Sequence, residues 1–354
     1  MRRRISHLLS AFALLALGSA AGCNGEDGDP GPAGSPGAPG ENGDPGEDGA
    51  PGTPGDPGDP GDPGAPASER DGVDSIPLFG ERFFPEGVAV HASGAIYVGS
   101  LATGEIVRVP PGLARPEAFI PAGALGVVGL LVDSAADTLW ACEVDLELQT
   151  PGAVRAFHAT SGEEQLRIVF PTGSFCNDMT LDDTGNLYIT DSFTGTIWRL
   201  PAGADDFEVW STDPAFVVPA GEFGLNGIAW SNGDIHVVVT ALGALLRVPV
   251  EADGSAGPAA PIPLDATLVG PDGLKVLADD RLLVVDNGGS AVKEVTLGGA
   301  VAHVTTIRNK LDGPTTGDLE GGSMWVAEGQ FDHLFGGDPN PPDLPFQLRR
   351  VYLP

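Results

Sequence analysis

GLNGIAWSNGDIHVVVT, Gly224 to Thr240, holds an Asn-Gly pair, an apolar run, a second Asn-Gly pair and another apolar run. The second pair, Asn232-Gly233, suits the positive φ angles of a tight hairpin turn. The first pair, Asn226-Gly227, is odder, because it sets an amide just ahead of the innermost-looking strand of the hairpin. Its meaning depends on whether the slot recurs.

It recurs six times. EGVAVHASGAIYVGSLATGEIVRV, VGLLVDSAADTLWACEVD, NDMTLDDTGNLYITDSFTGTIWRL, NGIAWSNGDIHVVVTALGALLRV, DGLKVLADDRLLVVDNGGSAVKEV and DGPTTGDLEGGSMWVAEGQFDHLF share one pattern. Each has a short dipeptide, an apolar run, a polar turn and a second apolar run. They begin at residues 86, 128, 177, 226, 272 and 312, with spacings between 40 and 49. Periods near 45 with several short strands mark propeller blades. The pattern predicts an all-β fold, a six-bladed β-propeller over residues 68–354. Ser75 to Phe79 would close the last blade beside Leu348 to Leu353, covering sheet edges that otherwise invite aggregation. A β-sandwich is the alternative architecture.

In a propeller the first strand of each blade faces the axis, so Glu86, Val128, Asn177, Asn226, Asp272 and Asp312 should form a ring. Five of the six carry side-chain oxygen. Carboxylates facing one another in a narrow channel are costly unless a cation sits between them. A ring without His or Cys suits a hard ion: Ca²⁺ first, with Zn²⁺, Mn²⁺ and Mg²⁺ as other divalent candidates. Alternatively, the Asn-Gly and Asp-Gly pairs are only turn chemistry, although Glu86 does not fit that account. A second ring, Ser100, Glu143, Asp191, Thr240, Asp286 and Glu328, should end the second strands at the same rim and could supply a general base. His333 follows the last of these, where it is either a rim group or a lone surface histidine.

The segments PEGVAV, CNDMTLDDTGNLYITDS, LNGIAWS and PDGLKV resemble the signature segments of SMP-30/gluconolactonase/luciferin-regenerating-enzyme-like propellers, over residues 80 to 335. The resemblance implies a metal held by Glu86, Asn177, Asn226 and Asp272, with Asp272 also activating water for hydrolysis of a lactone or related ester. Sugar-lactonase members carry an Arg two residues before the Asn-Asp pair; here that position is Phe175, which suits a more apolar substrate. GNLYITDS also resembles NHL repeats, which implies an alternative: a non-catalytic binding propeller, displayed at the surface, with a structural metal in its channel.

Residues 1–23 read as an export signal, with Arg2, Arg3 and Arg4 ahead of an apolar core and small residues. The ending SAAGC resembles a bacterial lipobox, which implies lipidation at Cys23 and membrane anchoring in the periplasm or at the cell surface. Within residues 24–67, Gly recurs at every third position from Gly25 to Gly64, giving fourteen G-X-Y triplets, ten with Pro at Y. Strict period three is the collagen signature, because only Gly fits the crowded axis of three chains. A homotrimer is the expectation, against which stand ten Asp and Glu with no Lys or Arg in the segment. The rest of the chain has 39 Asp and Glu against 15 Lys and Arg, a field that repels nucleic acid. Cys142 and Cys176 could pair after export. No nucleophilic-serine, phosphate-loop or zinc-protease motif occurs, so acyl-enzyme, nucleotide and peptidase readings lack support. The resemblance implies a small lactone or ester as partner or, on the binding reading, an extracellular ligand.

Overall fold

The computed structural model describes residues 68–354; the signal, Cys23 and G-X-Y assignments lie outside them. Six four-stranded antiparallel sheets follow one another as blades. Their inner strands are Pro85–Val90, Gly126–Asp133, Cys176–Leu181, Leu225–Ser231, Pro271–Ala278 and Pro314–Glu320 in blades 1 to 6. Val, Ile and Leu are frequent in the second strands, such as Ile96–Ser100, Asp234–Val239 and Arg281–Asp286, which are buried almost throughout and so read as near-continuous apolar runs. A sandwich is excluded by this topology.

Closure occurs where the sequence places it. Ser75–Pro77 pairs with Gln347–Tyr352 in blade 6, with Ile76 opposite Leu348. The core beneath this seam contains Phe83, Phe84, Trp325 and Phe346 and joins blade 6 to blade 1. A second core joins blades 2 and 3 and includes Val128, Cys142, Phe175 and Cys176. Cys142 and Cys176 form a disulfide between the second strand of blade 2 and the first strand of blade 3.

The inner strands begin and the second strands end on one face, so the loops preceding each blade and those between second and third strands share it. Five of the latter are four to eight residues long; that of blade 6 runs over 329–346. It carries the one α-helix among the described residues, Phe331–Leu334. Phe331 and Leu334 pack against both cores named above, so the insertion reaches from blade 6 toward blades 2 and 3. The chain enters on the opposite face. There Arg70 is buried and donates to the carbonyls of Gly94 (2.7 Å), Pro110 (2.6 Å) and Leu113 (2.9 Å), and pairs with Glu320.

Candidate functional site

Every inner strand breaks register with its neighbour at the same place. Pairing jumps from Pro85 to Val88, Val127 to Leu130, Cys176 to Met179, Leu225 to Ile228, Pro271 to Leu274 and Pro314 to Gly317. Two residues per blade are therefore left out of the ladder, a bulge that re-aims side chains. The first residues of the six bulges are Glu86, Val128, Asn177, Asn226, Asp272 and Thr315. Asp312, expected in the ring, lies before the strand and donates its backbone N–H to Glu328 (3.1 Å). The true ring member is Thr315, whose hydroxyl donates to the Glu86 carbonyl (3.1 Å).

The second bulge residues explain the paired glycines. Gly87, Gly129, Gly227 and Gly273 do not have positive φ. A Cβ on Gly227 would stand 2.5 Å from the Leu274 nitrogen and 2.8 Å from the Gly273 carbonyl carbon, and closer still to the Asp272 carbonyl oxygen. Gly87 and Gly129 meet the backbone of the next blade in the same way. Blade-to-blade approach at the axis selects these glycines, not turn chemistry. Asn232 and Gly233, by contrast, have φ of 54° and 81° and do form the turn.

Glu86, Asn177, Asn226 and Asp272, from four blades, line one narrow cavity of about 160 Å³ together with Gly129, Asp178, Gly273 and Thr316. All four are buried. The two amides are held by a repeated device. Asn177 Nδ2 donates to Ser192 Oγ (2.8 Å), and Ser192 donates to the Leu225 carbonyl of the next blade (2.6 Å). Asn226 Nδ2 donates to Thr240 Oγ1 (3.1 Å), which donates to the Pro271 carbonyl (2.8 Å). With their N–H groups committed, the amides keep their carbonyl oxygens as acceptors, so four blades offer oxygen to the same space. Such a set could hold a hard cation.

Charge in the cavity is costly without one. Burial pushes the Glu86 carboxyl well above the usual range; Asp272 and Asp178 push it further, and Lys275 opposes them. Asp272 is pushed up to about 8, by burial and then by Asp178, against a hydrogen bond from Asn226. Glu86 Oε2 and Asp178 Oδ2 are buried with no hydrogen-bond partner. Among the described residues, three or more acidic, Cys or His ligand atoms mutually within 4.8 Å occur only at Asp332, His333 and Asp338, so Glu86, Asp178 and Asp272 are not drawn into one tight cluster.

Asp178 and Lys275 escaped the sequence reading. Asp178 occupies a bulge position that is Gly in four other blades, and that substitution is its signal. Lys275 sits one turn of the pleat deeper, with Asp318 at the matching position of blade 6. Burial would lower the Lys275 pKa, but Asp178, Asp318 and Glu86 outweigh it and hold the value above that of an ordinary lysine.

The second ring does not supply a base. Asp191 is fully buried and accepts from the backbone N–H groups of Phe175 (3.0 Å), Phe193 (3.2 Å) and Thr194 (3.1 Å) and from Trp198 Nε1 (3.3 Å). Glu143 is paired with Arg155, Asp286 with Lys293 and Glu328 with Arg349. Ser100 donates to the Phe83 carbonyl, and Thr240 lies one residue past its strand. The carboxylates and Ser100 brace their own blades, while Thr240 bridges Asn226 to the Pro271 carbonyl of the next blade. His333 is likewise outside the cavity: on the Phe331–Leu334 helix, its Nδ1 donates to the Asn340 carbonyl (2.9 Å). That bond and the nearby Asp332, Asp338 and Asp312 raise its pKa. Phe175 stands two residues before Asn177, packed against Phe193 and Phe223.

Residues 18–71 match the collagen triple helix repeat, and residues 71–109 match the N-terminal part of the strictosidine synthase-like family. The domain is a six-bladed β-propeller, and the strictosidine synthase-like match covers part of its first blade. Solved structures similar to it include a luciferin-regenerating enzyme (TM-score 0.56, 13% identity, covering 80% of this chain and 94% of that one). Virginiamycin B lyase from Staphylococcus aureus matches at TM-score 0.52 and 13% identity, covering 79% and 98%. A PQQ-bound aldose sugar dehydrogenase from Streptomyces coelicolor matches at 0.52 and 14%, covering 79% and 96%. At these identities the propellers share a fold, and that fold carries enzymes of several chemistries. No curated protein sequence matches the chain.

Proposed function

We propose that the chain is a membrane-tethered, metal-dependent hydrolase of a lactone or related ester. The observation that carries this reading is the convergence of Glu86, Asn177, Asn226 and Asp272 on one buried cavity, with Glu86 Oε2 lacking any partner. These residues would hold a divalent cation, Ca²⁺ first because every donor is oxygen. Bound there, the cation supplies a Lewis acid that polarises the substrate carbonyl. Asp272 would take the proton of the attacking water, and Ser192 and Thr240 keep the two amides in place through the cycle. Phe175, where sugar lactonases carry Arg, removes a charged contact for a polyhydroxy acid. The export signal, Cys23 and the G-X-Y repeat would hold the propeller at a membrane, in the periplasm or at the cell surface, with the repeat joining three chains.

A second reading is a display propeller whose metal only stiffens the axis. It is favoured by the tightness of the cavity, which leaves no room for a free water-sized sphere, whereas small-molecule sites begin at roughly 300 Å³. The mature protein, tested with Ca²⁺ or chelator on a panel of aryl esters and lactones, separates the two. Hydrolysis lost on chelation and in Asp272→Ala supports the enzyme. A Ca²⁺-dependent rise in Tm without turnover of any substrate supports display.

A further inference from the structure

The six inner strands carry six acidic side chains and one basic one, Lys275. Lys275 breaks a pattern of hydrogen bonding between blades. Three residues past the start of the bulge, Thr180 Oγ1 in blade 3 accepts the Trp230 N–H of blade 4 (3.1 Å), and Asp318 Oδ2 in blade 6 accepts the Val90 N–H of blade 1 (2.8 Å). Blade 5 has lysine at this place, which donates only. The corresponding N–H of blade 6, that of Leu319, is taken instead by Asp318 Oδ1 (2.8 Å). Lys275 is thus released from joining blades. Lys293, also in blade 5, is pinned to Asp286 and to the Thr267 carbonyl (2.8 Å), whereas among the described residues nothing is bonded to the Lys275 ammonium. Burial works against its charge, and Asp178, Asp318 and Glu86 sustain it. Two of those three end in oxygens buried at the axial cavity without a partner, Glu86 Oε2 and Asp178 Oδ2.

We infer that Lys275 is a tethered counter-cation for the axial cavity, its ammonium serving Asp178 and Glu86 when no ion is bound and falling back toward Asp318 when one is. The flexible four-carbon stem permits the swing, and three rotatable donors suit carboxylates on different blades. Asp318 stays in place throughout, because two backbone N–H groups hold it. A divalent ion entering the ring of Glu86, Asn177, Asn226 and Asp272 meets a positive charge already present, and binds less tightly than the four donors alone would allow. Competition with an ion rests on the metal reading of the site; neutralisation of the carboxylates does not.

The test is calorimetric titration of the mature protein with Ca²⁺, together with melting in chelator. Lys275→Met keeps the stem and loses the charge. It should bind Ca²⁺ about tenfold more tightly, because no unit charge on the axis opposes the ion, and it should melt lower than the wild type in chelator. Lys275→Gln, which keeps a polar end, should repeat both effects. Arg308→Met, on the outer strand of the same blade, makes the same change in net charge and should do neither. Asp178→Asn in the Lys275→Met background should restore melting in chelator, as loss of mere packing would not. Unchanged melting in chelator, no rescue by Asp178→Asn, or unchanged affinity in Lys275→Met of a wild type that binds Ca²⁺ would overturn the inference. Absence of Ca²⁺ binding in every protein, with the melting loss and its rescue intact, would instead remove the metal reading and keep the counter-cation.

Discussion

Gly227→Ala tests whether close approach of the blades, not turn geometry, fixes the paired glycines. The added methyl would meet backbone on the next blade, at 2.5 Å from the Leu274 nitrogen and 2.8 Å from the Gly273 carbonyl carbon. Neither is the mobile end of a side chain, so relief requires blades 4 and 5 to separate at the axis. Overpacking of this kind costs about 3 kcal/mol. For a domain of this size that is a drop of about 6 °C in Tm, at roughly 2 °C per kcal/mol. Gly233→Ala, in the same hairpin, meets no atom within 4 Å but sits at φ 81°. It should cost about 1 kcal/mol, the left-handed penalty alone. Gly322→Ala, with open space and no positive φ, should be near neutral. Scanning calorimetry of the three variants reads the order directly. If Gly227→Ala melts no lower than Gly322→Ala, the axis is not closely packed and the account of the bulges fails.

Three further outcomes are expected. Glu86 and Asp272 bind protons more readily folded than unfolded, so in chelator the fold should lose stability as pH rises from about 4 through about 8. Added Ca²⁺ should flatten that profile, as should the Glu86→Gln/Asp272→Asn double variant; melting at pH 5 and pH 8 checks both. Arg70→Ala strips three carbonyls and Glu320 of their donor and should cost about 3 kcal/mol, with faster protease clipping near residue 75; Arg70→Lys should recover less than half. Reducing the Cys142–Cys176 bond, which closes a loop across a separation of 34 residues, should cost about 4 kcal/mol by urea titration.

Blade number, order and closure were legible because each blade repeats its buried strands at a near-constant spacing. Glu86, Asn177, Asn226 and Asp272 were legible for a related reason: an oxygen-bearing residue precedes the bulge position in each case, and in three of the four that position is Gly. Blade 6 misled for the same reason. Asp312-Gly313 imitates the pair, whereas the bulge holds Thr315 and Thr316, and neither has the signature of its counterparts. The second ring failed differently. Position along a strand was read correctly for most of its members, but hydrogen-bond demand was not: Asp191 is consumed by four N–H donors that only the folded loops bring to it. Lys275 was hidden because a lysine in a strand reads as solvent-facing until its acidic neighbours from other blades are known.

Arg70 has a mechanical consequence. Tension along the preceding chain reaches its guanidinium before the three-residue seam at Ser75–Pro77. The load is spread into the loops of blade 1 and onto Glu320 of blade 6, so the two sides of the seam are pulled together. Without that clamp the same force would peel the closing strand one residue pair at a time, and the wheel would open where its rim is thinnest.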